Sequence, residues 1–231
     1  MRHENPGTGI ARAQLTGLIL AGGRARRLQD PAAQGADLPV EKGLVPLGGQ
    51  PLVAHARAWL APRVGAICIS ANRRLEDYAP YGRLVRDPPE LAAAGPLAGV
   101  AAAMASSDTP WLLTVPVDVP FLPDDLLERL AAALVAGGAS VAYAASADGE
   151  HPLCLLARCA LLPSLRTYLL DGGRRVSGWL QQHEAQRVCF DGDAHEFMNI
   201  NTLDDLSRAE QWLRRRPDAP PTPPTDKVGH P

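Results

Sequence analysis

The sequence predicts an α/β domain, with a mostly parallel central sheet and helices on both faces. Its early apolar segments are continuous runs rather than alternations. Examples are LTGLILAG from Leu15 and VGAICISA from Val64 to Ala71. That is the pattern of strands covered on both faces. These runs alternate with segments of helical length, the order expected of a parallel α/β sheet. A chain of 231 residues that is 46% hydrophobic and 21% charged has enough apolar material for a substantial core.

The elements follow in order. LTGLILAG reads as a fully buried strand. GGQP at Gly48 to Pro51 starts a helix over Leu52 to Leu60. Val64 to Ala71 is a second strand and Leu84 to Val85 a short third one. PLAGVAAAMASS, Pro96 to Ser107, is an alanine-rich helix with proline in its first turn. Trp111 to Pro120 holds the fourth strand. Pro123 to Gly137 is helical, with acids near its start and glycines at its end. Segments 139–145 and 152–158 give further strands, and 187–190 a short one. Leu161 to Leu170 and Arg175 to His183 are helical. A last helix, Thr202 to Trp212, has Thr202 as its cap and Asp205 three residues on. Residues 1–14 are expected to be a disordered lead. The proline-dense stretch 216–231 is expected to be a disordered tail, leaving a folded body over 15–215.

Lys and Arg number 23 against 25 Asp and Glu, a formal charge of -2. The chain therefore carries no overall electrostatic footprint for nucleic acid, although a local basic patch can still hold an anion. Cys68, Cys154, Cys159 and Cys189 show no paired zinc spacing and read as small apolar residues. The N-terminal stretch lacks the pattern of a signal peptide, and no run of eighteen apolar residues suits a membrane span. A reducing, cytoplasmic setting is expected.

Ligands of open parallel sheets gather at the carboxyl ends of the strands, and three features fall there. The first is Leu20-Ala21-Gly22-Gly23 with Arg24, Arg26 and Arg27. It is neither GxGxxG nor a Walker A loop. Its glycines let backbone N–H groups approach an anion, and its arginines match phosphate oxygens. An ordinary turn with solvent-facing arginines would read the same. The second is EKG at Glu41 to Gly43, where Lys42 suits a phosphate or is a plain surface lysine. The third is VPVDVP, in which Asp118 ends an apolar strand between two prolines. An acid there costs several kcal/mol, roughly, unless it is paired or metal-bound. It either serves Mg²⁺ or caps a turn. Asp87 in VRDPPE and GPLAG at Gly95 to Gly99 occupy similar ends. His151 and the NIN of Asn199 to Asn201 read as ordinary surface residues. Together the glycine–arginine loop, the lysine and the terminal aspartate describe nucleotidyl transfer, in which alignment and charge do the work.

LAGGRARR, EKG, NRR at Asn72 to Arg74, RDPP, GPLAG, PVDVPFLP, HP and NINT occur in an order and spacing that resembles the molybdenum cofactor guanylyltransferases, the MobA family. The resemblance covers roughly residues 15 to 213. It implies a Rossmann-like nucleotidyltransferase fold and the reaction of GTP with the molybdenum–molybdopterin cofactor, giving its guanine dinucleotide form and pyrophosphate. It implies that Leu20, Ala21 and Gly22 hug the nucleotide, and that Gly23, Arg27 and Lys42 meet the phosphates. Asp87 would hold the guanosine part and Asp118 would hold Mg²⁺. Gly82, Gly95, Pro96 and Gly99 would shape the pocket. His151, Arg174, Arg175, Asn199 and Asn201 would handle the pterin. Implied protein partners are a molybdenum-insertion protein and apo-molybdoenzymes.

Three departures stand out. The 28–40 stretch is about eight residues longer than usual in the family and is expected to form a lid or bulge. Ser70 stands where these enzymes commonly keep a base-contacting asparagine, which weakens the case for guanine and keeps CTP as an alternative nucleotide. Glu41 replaces the usual aspartate. A sugar-phosphate nucleotidyltransferase and a non-catalytic nucleotide-binding adaptor are further alternatives.

Overall fold

The computed structural model describes residues 9–22, 41–92, 94–193 and 195–215. Gly23, Arg27 and the 28–40 insert lie outside them, as does the 216–231 tail. β1 (Leu15–Leu20) is followed by two short strands, β2 (Pro46–Leu47) and β3 (Gln50–Pro51), then α1 (Leu52–Leu60), β4 (Ala66–Ser70), α2 (Leu75–Tyr78) and β5 (Arg83–Val85). Next come α3 (Pro96–Ala105), β6 (Trp111–Pro116), α4 (Leu126–Gly137) and the pair β7 (Val141–Ser146) and β8 (Gly149–Arg158). α5 (Leu162–Leu170), α6 (Val176–Gln182), β9 (Gln186–Phe190) and α7 (Leu203–Arg215) complete the chain.

The main sheet has seven strands in the order β5-β4-β1-β6-β8-β7-β9. Neighbours are parallel except at β6/β8 and β7/β8. The sheet is thus mostly parallel, with one antiparallel hairpin set into it. Successive side chains of a strand point to opposite faces, and β1 feeds both cores. Leu15 and Ile19 pack with α1, α4 and α7, whereas Leu18 and Leu20 pack with α3, α5 and α6. A run without alternation is the sequence trace of this double coverage. Gly17 faces α1, and a Cβ there would sit 3.0 Å from Leu60 and 3.1 Å from Val64, so a larger residue would fit only if these side chains gave by a few tenths of an ångström.

Order begins earlier than the boundary at residue 15. Ile10 is buried, and the Arg12 guanidinium donates to Val64 O at 2.8 Å and to Ala61 O at 2.7 Å. An arginine thereby closes the carbonyls beyond α1, a partnership that local sequence does not reveal. GGQP does more than start a helix. Gly48 (φ 57°) and Gly49 (φ 79°) make the two-residue turn between β2 and β3, where positive φ is required at both positions. At the far end Thr202 Oγ1 accepts from Asp205 N at 3.1 Å, and Asp205 Oδ2 accepts from Thr202 N at 2.9 Å. This reciprocal cap fixes where α7 starts. Among the described residues no helix is long and apolar enough to cross a membrane.

Candidate active site

β1 connects outward to β4 and β5 on one side, and the chain then returns to β6 on the other. The crevice at the carboxyl ends of β1 and β6 is therefore a topological switch point, where α/β sheets place ligands. Val117 N donates to Leu20 O at 3.1 Å, extending the β1/β6 ladder by one bond before the chain turns at Asp118. That last rung sets the aspartate beside the end of β1.

Three remote segments meet there. Lys42 opens a single 3₁₀ turn, and its ammonium donates to Asp118 Oδ2 and to Asn201 Oδ1, each at 2.5 Å. The Lys42 and Asp118 side chains are only 14% and 20% exposed, so the ion pair is partly withdrawn from water. Asn201 is delivered by backbone bonds: Ile200 N donates to Asp118 O at 2.9 Å, and Phe197 N to Phe121 O at 2.9 Å. Asn201 N in turn donates to Asp205 Oδ2 of the α7 cap at 3.0 Å.

Beside this cluster lies a cavity of about 300 Å³. Leu20, Gly22, Ser70 and Gly95, all expected at a nucleotide, line it together with Asp87 and Pro96. Ala21 is buried just behind, its N–H donating to Ser70 O at 3.0 Å. Gly95 has φ 72°, a conformation that a side chain would strain, and it opens α3 toward the cavity. A Cβ on Gly99 would fall 2.3 Å from Ser70 Oγ, so the serine is seated directly on the helix backbone. Gly82 instead packs on Ile67 of β4 and does not line the cavity.

Asp87 is half-buried, and burial pushes its carboxyl above the usual carboxylate range, opposed in part by a hydrogen bond from Asn72. Asn72 Nδ2 donates to Asp87 Oδ2 at 2.7 Å, and Asp87 N donates back to Asn72 Oδ1 at 3.0 Å. Glu41, with 4% exposure, is the most deeply buried acid of the site and accepts from Arg73 Nε at 2.6 Å. Both Glu41 and Arg73 line the cavity. In the sequence NRR stands only as a motif and Glu41 only as a replacement for the usual aspartate. The pairings are between positions far apart in sequence, and charge order alone does not expose them.

The residues expected at the pterin are more dispersed. His151 stacks on Phe197 with ring centroids 4.3 Å apart, and Nε2 lies 2.8 Å from Ser146 Oγ. Burial holds the imidazolium below the usual histidine range, opposed by Asp148. Asn199 lines a separate cleft with His195, Arg208 and Trp212. Arg174 donates to Leu169 O and Gly173 O, both at 2.7 Å, and Arg175 precedes α6. No described contact joins these two arginines to the Lys42 cluster.

Residues 17–188 match the MobA-like NTP transferase domain model. The molybdenum cofactor guanylyltransferase of Cupriavidus necator is 43% identical over 206 residues, covering 87% of this chain and 98% of that protein. The chain belongs to the MobA family. The guanylyltransferase of Ralstonia nicotianae is 40% identical over 208 residues, covering 85% and 96%. The fold is shared with molybdopterin-guanine dinucleotide biosynthesis protein A of Archaeoglobus fulgidus (TM-score 0.69, 23% identity, 87% of this chain and 100% of that one). It is shared also with a nucleotidyl transferase of Methanothermobacter thermautotroptrophicus (TM-score 0.65, 22% identity, 88% and 99%). For a MobA family member, the Lys42–Asp118–Asn201 cluster and the adjoining cavity together form the candidate active site.

Proposed function

We propose that this chain transfers GMP from GTP to the molybdenum–molybdopterin cofactor, forming the guanine dinucleotide cofactor and pyrophosphate. The observation that carries the reading is the Lys42 ammonium held between Asp118 and Asn201 at the switch point, beside a cavity with an acid wall. A terminal phosphate of the pterin attacks the α-phosphorus, and the bond from that phosphorus to the β-phosphate oxygen breaks. The protein supplies no covalent nucleophile. Its work is alignment and charge.

Lys42 is the cation for the triphosphate, and its hydrogen bonds to Asp118 and Asn201 hold it at the strand ends. Asp118 is the residue that would hold Mg²⁺. The fit is chemical. Asp118 already accepts a cation, and among the described residues no group of three or more metal-binding side chains forms an all-protein cage. Mg²⁺ is characteristically held by one or two carboxylates plus substrate phosphates. Mg²⁺ held by Asp118 would supply positive charge against the charge that develops on the leaving pyrophosphate.

Leu20, Ala21, Gly22 and Gly95 would enclose the nucleoside, with Ser70 and Asp87 toward the base. Gly23 and Arg27 would add donors along the phosphates. His151, Arg174, Arg175, Asn199 and Asn201 would receive the pterin. The product would pass to apo-molybdoenzymes, with a molybdenum-insertion protein as a further partner in a cytoplasmic setting. The deciding experiment is cofactor turnover with GTP, CTP and ATP at equal concentration. Incorporation of GMP is expected, and a strong preference for CTP would sink the guanylyl assignment.

A further inference from the structure

The parallel ladder between β4 and β5 pairs Ser70 with Val85, and Ala71 N then donates to Val85 O at 3.2 Å. The main-chain rungs stop there, but the connection continues through a side chain. Asn72 accepts the Asp87 N–H with one end of its carboxamide and donates to the Asp87 carboxylate with the other. One amide thus fixes both the backbone and the carboxylate of the acid. Asp87 Oδ1 has no hydrogen-bond partner among the described residues, and the residue lines the cavity.

Ser70 cannot take over that task. Its hydroxyl is short, 5% of the residue is exposed, and it is wedged against the Gly99 backbone. Asn72 carries the one side-chain amide on the described wall of the cavity, and both of its ends are already engaged with Asp87. Guanine presents two adjacent donors, N1–H and the exocyclic amine, which match the acceptor-only edge of a carboxylate. Adenine and cytosine set an amine donor beside an acceptor and do not match it.

We propose that Asn72 is a specificity-determining positioning residue, which holds the Asp87 carboxylate at the cavity wall so that it selects guanine. The proposal rests on the reading that Asp87 meets the base. Asn72 does not itself touch the nucleotide; its amide is committed to the acid. The other charged groups of the cavity wall, Glu41 and Arg73, pair with each other. On the acid's own segment Glu90 is engaged with Arg166 at 3.0 Å, and Arg86 is its chain neighbour.

The test is calorimetric affinity for GTP and for ITP, which lacks the exocyclic amine, measured with Mg²⁺ on the full chain. Asn72→Ala, Asn72→Asp and Asp87→Asn are compared with the unaltered protein, with melting temperature as a control. Asn72→Ala is expected to lose about tenfold in GTP affinity and less in ITP affinity, so that its GTP/ITP ratio approaches that of Asp87→Asn. Because the Asn72 bond opposes the effect of burial on Asp87, the acid limb of GTP binding should also move to higher pH. If the alanine variant fails to fold, Asn72→Asp keeps size and acceptor but loses the donor, and is expected to lose the ratio too. An unchanged ratio in the Asn72 variants, with Asp87→Asn altered, overturns the positioning role alone. An unchanged ratio in Asp87→Asn overturns the base-contact reading and the proposal with it.

Discussion

Arg73 reaches from the β4–β5 connection to the buried Glu41 carboxylate, and the two residues flank the turn that presents Lys42. On the other side of that lysine, Gly43 lies against the Tyr78 hydroxyl, where a Cβ would fall 2.7 Å away. One connection therefore steadies Lys42 from both sides. Arg73→Ala should leave Glu41 buried without its partner and lower stability by about 1–3 kcal/mol, discounted because Arg73 itself is partly exposed. Thermal melting reads this, and Glu41→Gln in the Arg73→Ala background should recover part of the loss.

Asp118→Ala should reduce turnover by at least about a hundredfold while the melting temperature moves little, because the side chain pairs with a cation and packs no core. Near-normal turnover would remove the main mechanistic claim.

Asn201→Ala releases one of the two acceptors on Lys42 without removing the ammonium. The expected result is a smaller loss than in Asp118→Ala, about tenfold in kcat/KM, with Lys42→Met more severe than either. Steady-state kinetics of the three variants under one set of conditions gives the ranking.

Gly99→Ala should drive a methyl group into Ser70 and cost about 1–3 kcal/mol of stability, with weaker nucleotide binding as Ser70 is displaced. Ser70→Gly in the same chain should restore much of both. Failure of the double variant to recover would show that the Leu20 contact, at 3.3 Å, dominates instead.

His151 supplies a pH dependence whose sign is fixed by its burial. Its folded-state pKa is depressed, so the unfolded chain binds the proton more readily. The stabilising contribution is present above the ordinary histidine value and is lost as pH falls toward the lowered folded value. Melting temperature between pH 7.5 and 5.5, on the order of one unit either side of that ordinary value, should fall more in the parent chain than in His151→Phe.

The strand runs were legible because both faces of the sheet are covered, and Asp118 because an acid between prolines at the end of such a run is costly without a partner. The direction of β8 was not legible. A buried strand reads alike whether its neighbour runs with it or against it, and only the short β7–β8 turn decides. Glu41 with Arg73 and Asn72 with Asp87 were equally hidden, since each pair joins surface-like residue types from separate segments: the end of β4 meets the Lys42 turn in one and the end of β5 in the other. Arg12 was hidden for the same reason: its acceptors are carbonyls some fifty positions away.

The family match ends at residue 188, yet the lysine's second acceptor arrives on Asn201, tied to the α7 cap through Asp205. Trimming the protein to the matched span would remove one of the two acceptors that hold the Lys42 ammonium, along with an outwardly peripheral helix. The helix is an anchor, and stress applied to its far end, by a fusion partner or a docking protein, has a covalent and hydrogen-bonded route to the ammonium of Lys42.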